Sequence, residues 1–212
     1  MSVTGDLAVN GPGANKLTVS GNNASRVLHI SNAATATVAG LAIANGATFG
    51  GLGGGGILNE AGATLTLFHS ALNNNTATAA SNAVDVFGGG LLNQGKALVA
   101  SSAFSGNQAL GGGGTSFFGG SLGGAIDNFG GAALTVTDSA FVHKPSVGTG
   151  AGNFGIGGAI ENNAGPSRTW RAPRRRPSPT PSPPTTWRGP ARAGPCPHSP
   201  SEEVGTPVFK KL

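Results

Sequence analysis

The sequence predicts an all-β chain wound as a right-handed parallel β-helix, and three observations predict it. Four Gly-rich boxes recur along the chain: Gly54-Gly55-Gly56-Ile57-Leu58-Asn59, Gly88-Gly89-Gly90-Leu91-Leu92-Asn93, Gly123-Gly124-Ala125-Ile126-Asp127-Asn128 and Gly157-Gly158-Ala159-Ile160-Glu161-Asn162. Their closing asparagines are 34, 35 and 34 residues apart, and a fixed period in that range marks a stacked repeat protein. An alternating segment follows each of the first three boxes, while no useful span holds a helical period of 3.6.

The alternating segments run Leu65 to Leu72, Ala97 to Phe104 and Leu134 to Phe141. Apolar residues alternate with small polar ones at their starts, the pattern of a strand with one buried face. Asn73-Asn74-Asn75 and Gly106-Asn107 then suit turns. Each unit reads as short strand, turn, longer strand, turn and a Gly-rich loop of variable length. Such a unit cannot bury its apolar face alone. Stacked in register at about 4.8 Å per layer, each unit covers the next. Residues 1–50 carry the same device in weaker form: Leu17 to Asn22, Leu28 to Asn32 and Val38 to Gly46 read as one or two further turns.

Composition divides the chain near Gly165. Residues 1–164 hold four basic side chains against six acidic, a net of −2, and lack cysteine. Residues 165–212 hold nine basic against two acidic, a net of +7, with 12 of the 14 prolines, both tryptophans and the one cysteine. The first part must be stabilised by stacking, since no disulfide is available. The second is Pro/Arg-rich without apolar period and is expected to be a disordered tail. No strand is expected after the fourth box. A shift of reading frame near residue 165 would explain the change, because Arg, Pro, Ala, Gly and Trp dominate out-of-frame translation of GC-rich DNA; a genuine Pro-rich linker is the alternative. No run reaches the 18 or so apolar residues of a membrane helix. The start, Met1 to Asp6, lacks the basic and apolar regions of a signal peptide. The chain therefore reads as a fragment of a longer exported protein.

Few residues invite chemistry. Asn59, Asn93, Asn128 and Asn162 are expected to stack as a structural ladder, their amides bonding along the axis. Asp127 and Glu161 take the place of Leu58 and Leu92 in consecutive units. As neighbours on one outward face they form a weak candidate site that could share a proton or hold a cation, against the simpler reading of a solvated strand face. No third ligand accompanies them, and the nonapeptide calcium pattern is absent. His29, His69 and His143 fall in different contexts, without zinc-site spacing. The Gly runs do not continue into the Gly-Lys-Ser/Thr of a phosphate loop. No cofactor is expected. Phe49, Phe87, Phe117-Phe118 and Phe154 precede the boxes and read as packing for their loops, or else as an apolar stripe that grips a partner. The tail run Arg174-Arg175-Arg176 with Trp170 and Trp187 has the chemistry for nucleic acid or anionic membrane, incidental if the tail is out of frame; no specific nucleic-acid partner is expected.

Gly123-Gly124-Ala125-Ile126 and Gly157-Gly158-Ala159-Ile160, together with Phe104-Ser105-Gly106-Asn107, resemble the paired GGAI and FxxN repeats of the polymorphic outer-membrane protein family. Those are autotransporter-type right-handed parallel β-helix passenger regions of the pectin-lyase-like fold. The resemblance covers about residues 5–164. FxxN is intact at Phe104–Asn107, keeps its spacing with leucine at Leu72–Asn75 and loses its asparagine at Phe141–Lys144. The resemblance implies an exported stalk or adhesin at the outer-membrane or extracellular surface, and it brings no catalytic residues. Loops 77–87, 109–122 and 145–156 would contact host or neighbouring-cell glycans or proteins, and uncapped ends would self-associate. The alternative is a polysaccharide lyase or hydrolase, which convergence of three of Asp85, Asp127, Asp138 and Glu161 on one groove would favour. A third reading is non-functional translation of a degraded gene.

Overall fold

The computed structural model describes residues 1–50, 53–81, 84–112, 120–143, 145–147, 155–163 and 170–171. All belong to the first of the chain's two units, Met1–Arg175. They form an all-β parallel solenoid of about four turns, with no helix among them. Every pairing between the strands is parallel, and each joins a segment to its equivalent one turn later.

Five columns of strands run through the stack. The first carries the boxes: Ser2–Val3, Leu28–Ile30, Ile57–Asn59, Leu91–Asn93, Ile126–Phe129 and Ile160–Asn163. The second holds the longest strands: Leu7–Asn10, Thr35–Ala39, Thr64–Phe68, Lys96–Ala100, Ala133–Thr137 and Trp170–Arg171. The third is Thr18–Ser20, Ala42–Ala44, Ala71–Asn73, Ala103–Ser105 and Ala140–Val142. A fourth (Ala47–Phe49, Thr76–Thr78, Gln108–Leu110, Ser146–Val147) and a fifth (Val86–Phe87, Ser121–Leu122, Gly155–Ile156) complete the later turns.

The unit is thus more finely divided than its sequence suggests. The longer strand of each unit is two strands, broken where His69, Ser101 and Asp138 turn into the left-handed region at φ 47°, 47° and 48°. A second left-handed corner follows at Asn74, Gly106 and His143, with φ 54°, 65° and 48°. Positions 77–87, 109–122 and 145–156, expected as loops, contain the fifth-column strands and, in whole or in part, the fourth-column strands Thr76–Thr78, Gln108–Leu110 and Ser146–Val147. Trp170–Arg171 also corrects the expectation that no strand follows the fourth box, since these residues pair with Val136 and Thr137. The rest of the expected disordered tail lies outside the described residues.

The box glycines have a steric cause. Gly54, Gly88, Gly123 and Gly157 all sit at positive φ (67°, 53°, 62° and 58°). A Cβ on Gly88 would run into the carbonyl of Leu91, and one on Gly123 into that of Ile126. The third box position varies with its neighbour. A Cβ at Gly56 would lie 2.9 Å from the Asn75 amide carbon, and one at Gly90 3.1 Å from that of Asn107. Ala125 belongs to the turn in which Lys144 replaces that asparagine in sequence.

Inward side chains stack by type. Ile43, Leu72, Phe104 and Phe141 form one register line in the third column, which begins at Val19, itself exposed. The rings of Phe104 and Phe141 lie 4.9 Å apart and nearly parallel at 16°. Ala36 and Val38, Leu65 and Leu67, Ala97 and Val99 fill the main core from the second column. Ala77, Ala79, Val86 and Ala109 make a smaller satellite cluster, whose small side chains let the fourth and fifth columns close on it.

Candidate functional site

The first column places Asn59, Asn93, Asn128 and Asn162 in one register line pointing inward, the first three fully buried. Asn59 Nδ2 donates to Asn93 Oδ1 at 2.7 Å, Asn93 Nδ2 to Asn128 Oδ1 at 2.6 Å, and Asn128 Nδ2 to Asn162 Oδ1 at 2.8 Å. The same amides donate to the corner carbonyls of Lys96, Ala133 and Ala132, joining the first column to the second. The chain of bonds starts abruptly. Asn59 Oδ1 is buried and has no donor, because the residue below it in register is Ile30.

A second amide column lies at the corner between the third and fourth columns. Asn75 Nδ2 donates to Asn107 Oδ1 at 2.8 Å and to the Ile43 carbonyl at 3.1 Å, while Gly46 N–H donates to Asn75 Oδ1 at 2.8 Å. These are the asparagines of the FxxN spacing, which was the signal available for them. Ser70, Ser102 and Ser139 form a third line: Ser70 N–H donates to Ser102 Oγ at 3.2 Å and Ser102 N–H to Ser139 Oγ at 3.1 Å. Nothing in the alternating pattern distinguished these serines from solvated ones.

Asp127 and Glu161 are direct register partners on successive rungs of the first column. The surroundings of Asp127 differ from the solvated face expected for it, whereas Glu161 is half-buried. Asp127 is 0% exposed, and neither carboxylate oxygen has a hydrogen-bond partner among the described residues. The residue below it in register is Leu92, itself 1% exposed. Burial first, and the Glu161 carboxylate second, push the Asp127 carboxyl up to about 7. The arrangement favours the neutral form of the Asp127 carboxyl. Cation binding would need several more oxygens, and among the described residues no three His, Cys, Asp or Glu side chains gather.

Comparison with known proteins returned no matching family model, no matching curated protein and no matching solved structure. The residues and their geometry therefore carry the functional argument.

At the other end of the glycine column, Arg26 does the work of a missing box. Its Nε donates to the Gly54 carbonyl at 2.9 Å and its Nη2 to that of Gly53 at 2.7 Å. Burial lowers the guanidinium pKa, and the Glu60 carboxylate raises it in partial compensation. Replacing Arg26 with alanine leaves two carbonyls without their charged donor. The expected cost is about 2 kcal/mol of stability, read from the midpoint of urea unfolding at unchanged slope. Nearby, His29 Nε2 lies 2.6 Å from Glu60 Oε1, and Asn32 N–H donates to Glu60 Oε2 at 3.0 Å. Those two hydrogen bonds hold the Glu60 carboxyl below its usual range.

The remaining candidates are dispersed. His69 and His143 occupy left-handed corners, and His29 lies on the outward face of the first column. Phe49 is 77% exposed, whereas the Phe87 ring packs 4.9 Å from Phe129. Phe117-Phe118, Phe154, Arg174-Arg175-Arg176 and Trp187 lie outside the described residues, as do the side chains of Trp170 and Arg171. Asp138 sits at the corner after the second column, and Asp85 Oδ1 accepts the Gly120 N–H ahead of the fifth. A shallow depression of about 260 Å³ on the outward face of the second column is lined by Thr64, Thr66, Lys96, Leu98 and Thr135, with no carboxylate. Among the described residues, no helix is long and apolar enough to cross a membrane.

Proposed function

We propose that this chain is a segment of an exported bacterial surface protein, serving as a rigid stalk or adhesin-like β-helix. The observation that carries the reading is where the buried polar groups are spent. The Asn59–Asn93–Asn128–Asn162 and Asn75–Asn107 amides bond to one another and to corner carbonyls, so they hold rungs together and face no cleft. Internal amide networks of this kind, satisfied but for Asn59 Oδ1, rigidify a fold. The carboxylates support the same reading. Asp127 and Glu161 share a column, while Asp138 and Asp85 stand on other elements, so the three-acid groove that would favour polysaccharide cleavage is absent among the described residues. The autotransporter-like repeat pattern of the boxes supports a place at the outer-membrane or extracellular surface. Partners would be glycans or proteins of a host or neighbouring cell, met by the segments between the third and first columns. Further copies of the chain would meet the strand edges of the end rungs.

Two measurements test this. Surface proteolysis of intact cells should cleave the parent protein, and protection until lysis would refute export. Incubation of the purified chain with acidic polysaccharides should release no unsaturated uronate and no reducing ends. Release that disappears in Asp127→Asn would establish the enzyme in place of the stalk.

A further inference from the structure

Asp127 stands where two earlier turns carry leucine, Leu58 and Leu92. Its carboxyl is fully buried, and both oxygens lack a donor. The rung below offers only the Leu92 side chain. The rung above places Glu161 directly opposite, half-buried and of like charge. The Gly123–Gly124 turn brings no side chain to the site. Glu161 is thus the charged group facing Asp127 among the described residues. The one ion pair found there, His29 with Glu60, stands near the start of the column, His29 being three rungs below. The rungs also differ in how firmly they are held. Ile57–Asn59 and Leu91–Asn93 are buried or nearly so, whereas Ile160–Asn163 and Gly155–Ile156 are half-buried to exposed. The last rung of this column among the described residues, with little burial, opens at the lowest cost.

We propose that Asp127 is a proton-operated latch on the last turn: with its carboxyl neutral, the strand Ile160–Asn163 stays docked on Ile126–Phe129, and with it ionised that strand and the end of the Asn column come loose. A buried carboxylate facing a second carboxylate has no compensation in the docked state, and opening the last rung gives both groups water. The direction follows from linkage. The docked state binds a proton that the open state, with its ordinary value of 3.8, releases. Docking is therefore strongest at acid pH and weakens as pH rises through about 4 to about 7.

Amide hydrogen exchange over Ile126–Phe129 and Ile160–Asn163 tests the latch, corrected for the intrinsic pH dependence of exchange and measured at about pH 5 and about pH 8. In the native chain, protection should fall on the order of tenfold or more between the two, while Thr64–Phe68, deep in the stack, keeps its protection. Asp127→Asn, an uncharged isostere, should show the same protection at both pH values. Asp127→Leu, which repeats Leu92, should do likewise, and Glu161→Gln should shrink the native drop. Equal protection of the native chain at both pH values would overturn the proposal. So would a drop of native size in Asp127→Asn, or a carbon-13 titration of the Asp127 carboxyl centred near 4.

Discussion

Asn93→Ala is expected to cost about 4 kcal/mol, enough to unfold a large fraction of a marginally stable solenoid. The side chain accepts from Asn59, donates to Asn128 and reaches the Ala133 carbonyl, all in the buried interior. Truncation leaves a buried donor on Asn59 and a buried acceptor on Asn128, each costing about 1–3 kcal/mol. Asn93→Asp should be no rescue, since a carboxylate keeps the acceptor but loses both donors and buries a charge. Asn162→Ala, at the exposed end of the line, should cost far less. Urea unfolding of the three variants measures the gradient; equal small losses would mean that the column is not a stabilising unit. Because stacked turns depend on their neighbours, the loss at Asn93 should also reach Asn59 and Asn128, visible as faster exchange of both side-chain amides.

Gly88→Ala is expected to be nearly as damaging, at about 3 kcal/mol. Its φ of +53° is costly for an L-residue, and the added methyl would meet the Leu91 carbonyl. The strained turn sets the start of Leu91–Asn93, so relaxation there would pull Asn93 off its register. Gly5→Ala supplies the control: nothing lies within 4 Å of a Cβ built there. That change should be neutral or add a few tenths of a kcal/mol by restricting the unfolded chain. Comparable melting temperatures for the two variants would contradict the steric account of the boxes.

These two positions also mark what was legible beforehand. The boxes repeat at 34 or 35 residues because each first glycine must reach the same left-handed corner, and each closing asparagine must meet the one below. Such constraints leave a visible period. The second amide column was legible only as the FxxN spacing, because Asn75 and Asn107 follow a different interval, 32 residues, and the next position in line is Lys144. Arg26 left no pattern, since it acts once, where the first box lacks a box below it. Asp127 misled for a physical reason. Alternation tells which way a side chain points relative to the solenoid core, and an outward residue is read as solvated. Leu92 and Asp127 point outward yet are covered, which depends on the packing of neighbouring segments and not on the alternation of the strand itself. The split of each long segment into two strands turns on single left-handed residues, His69, Ser101 and Asp138, of three unrelated types.

The most direct test of the stack is an NMR search for cross-strand contacts at the repeat distance. Parallel pairing brings Leu58, Leu92 and Asp127 side by side on successive rungs, so amide-to-Hα Overhauser effects should link the first with the second and the second with the third. A spectrum in which those segments show only sequential and short-range effects would contradict the account at its root.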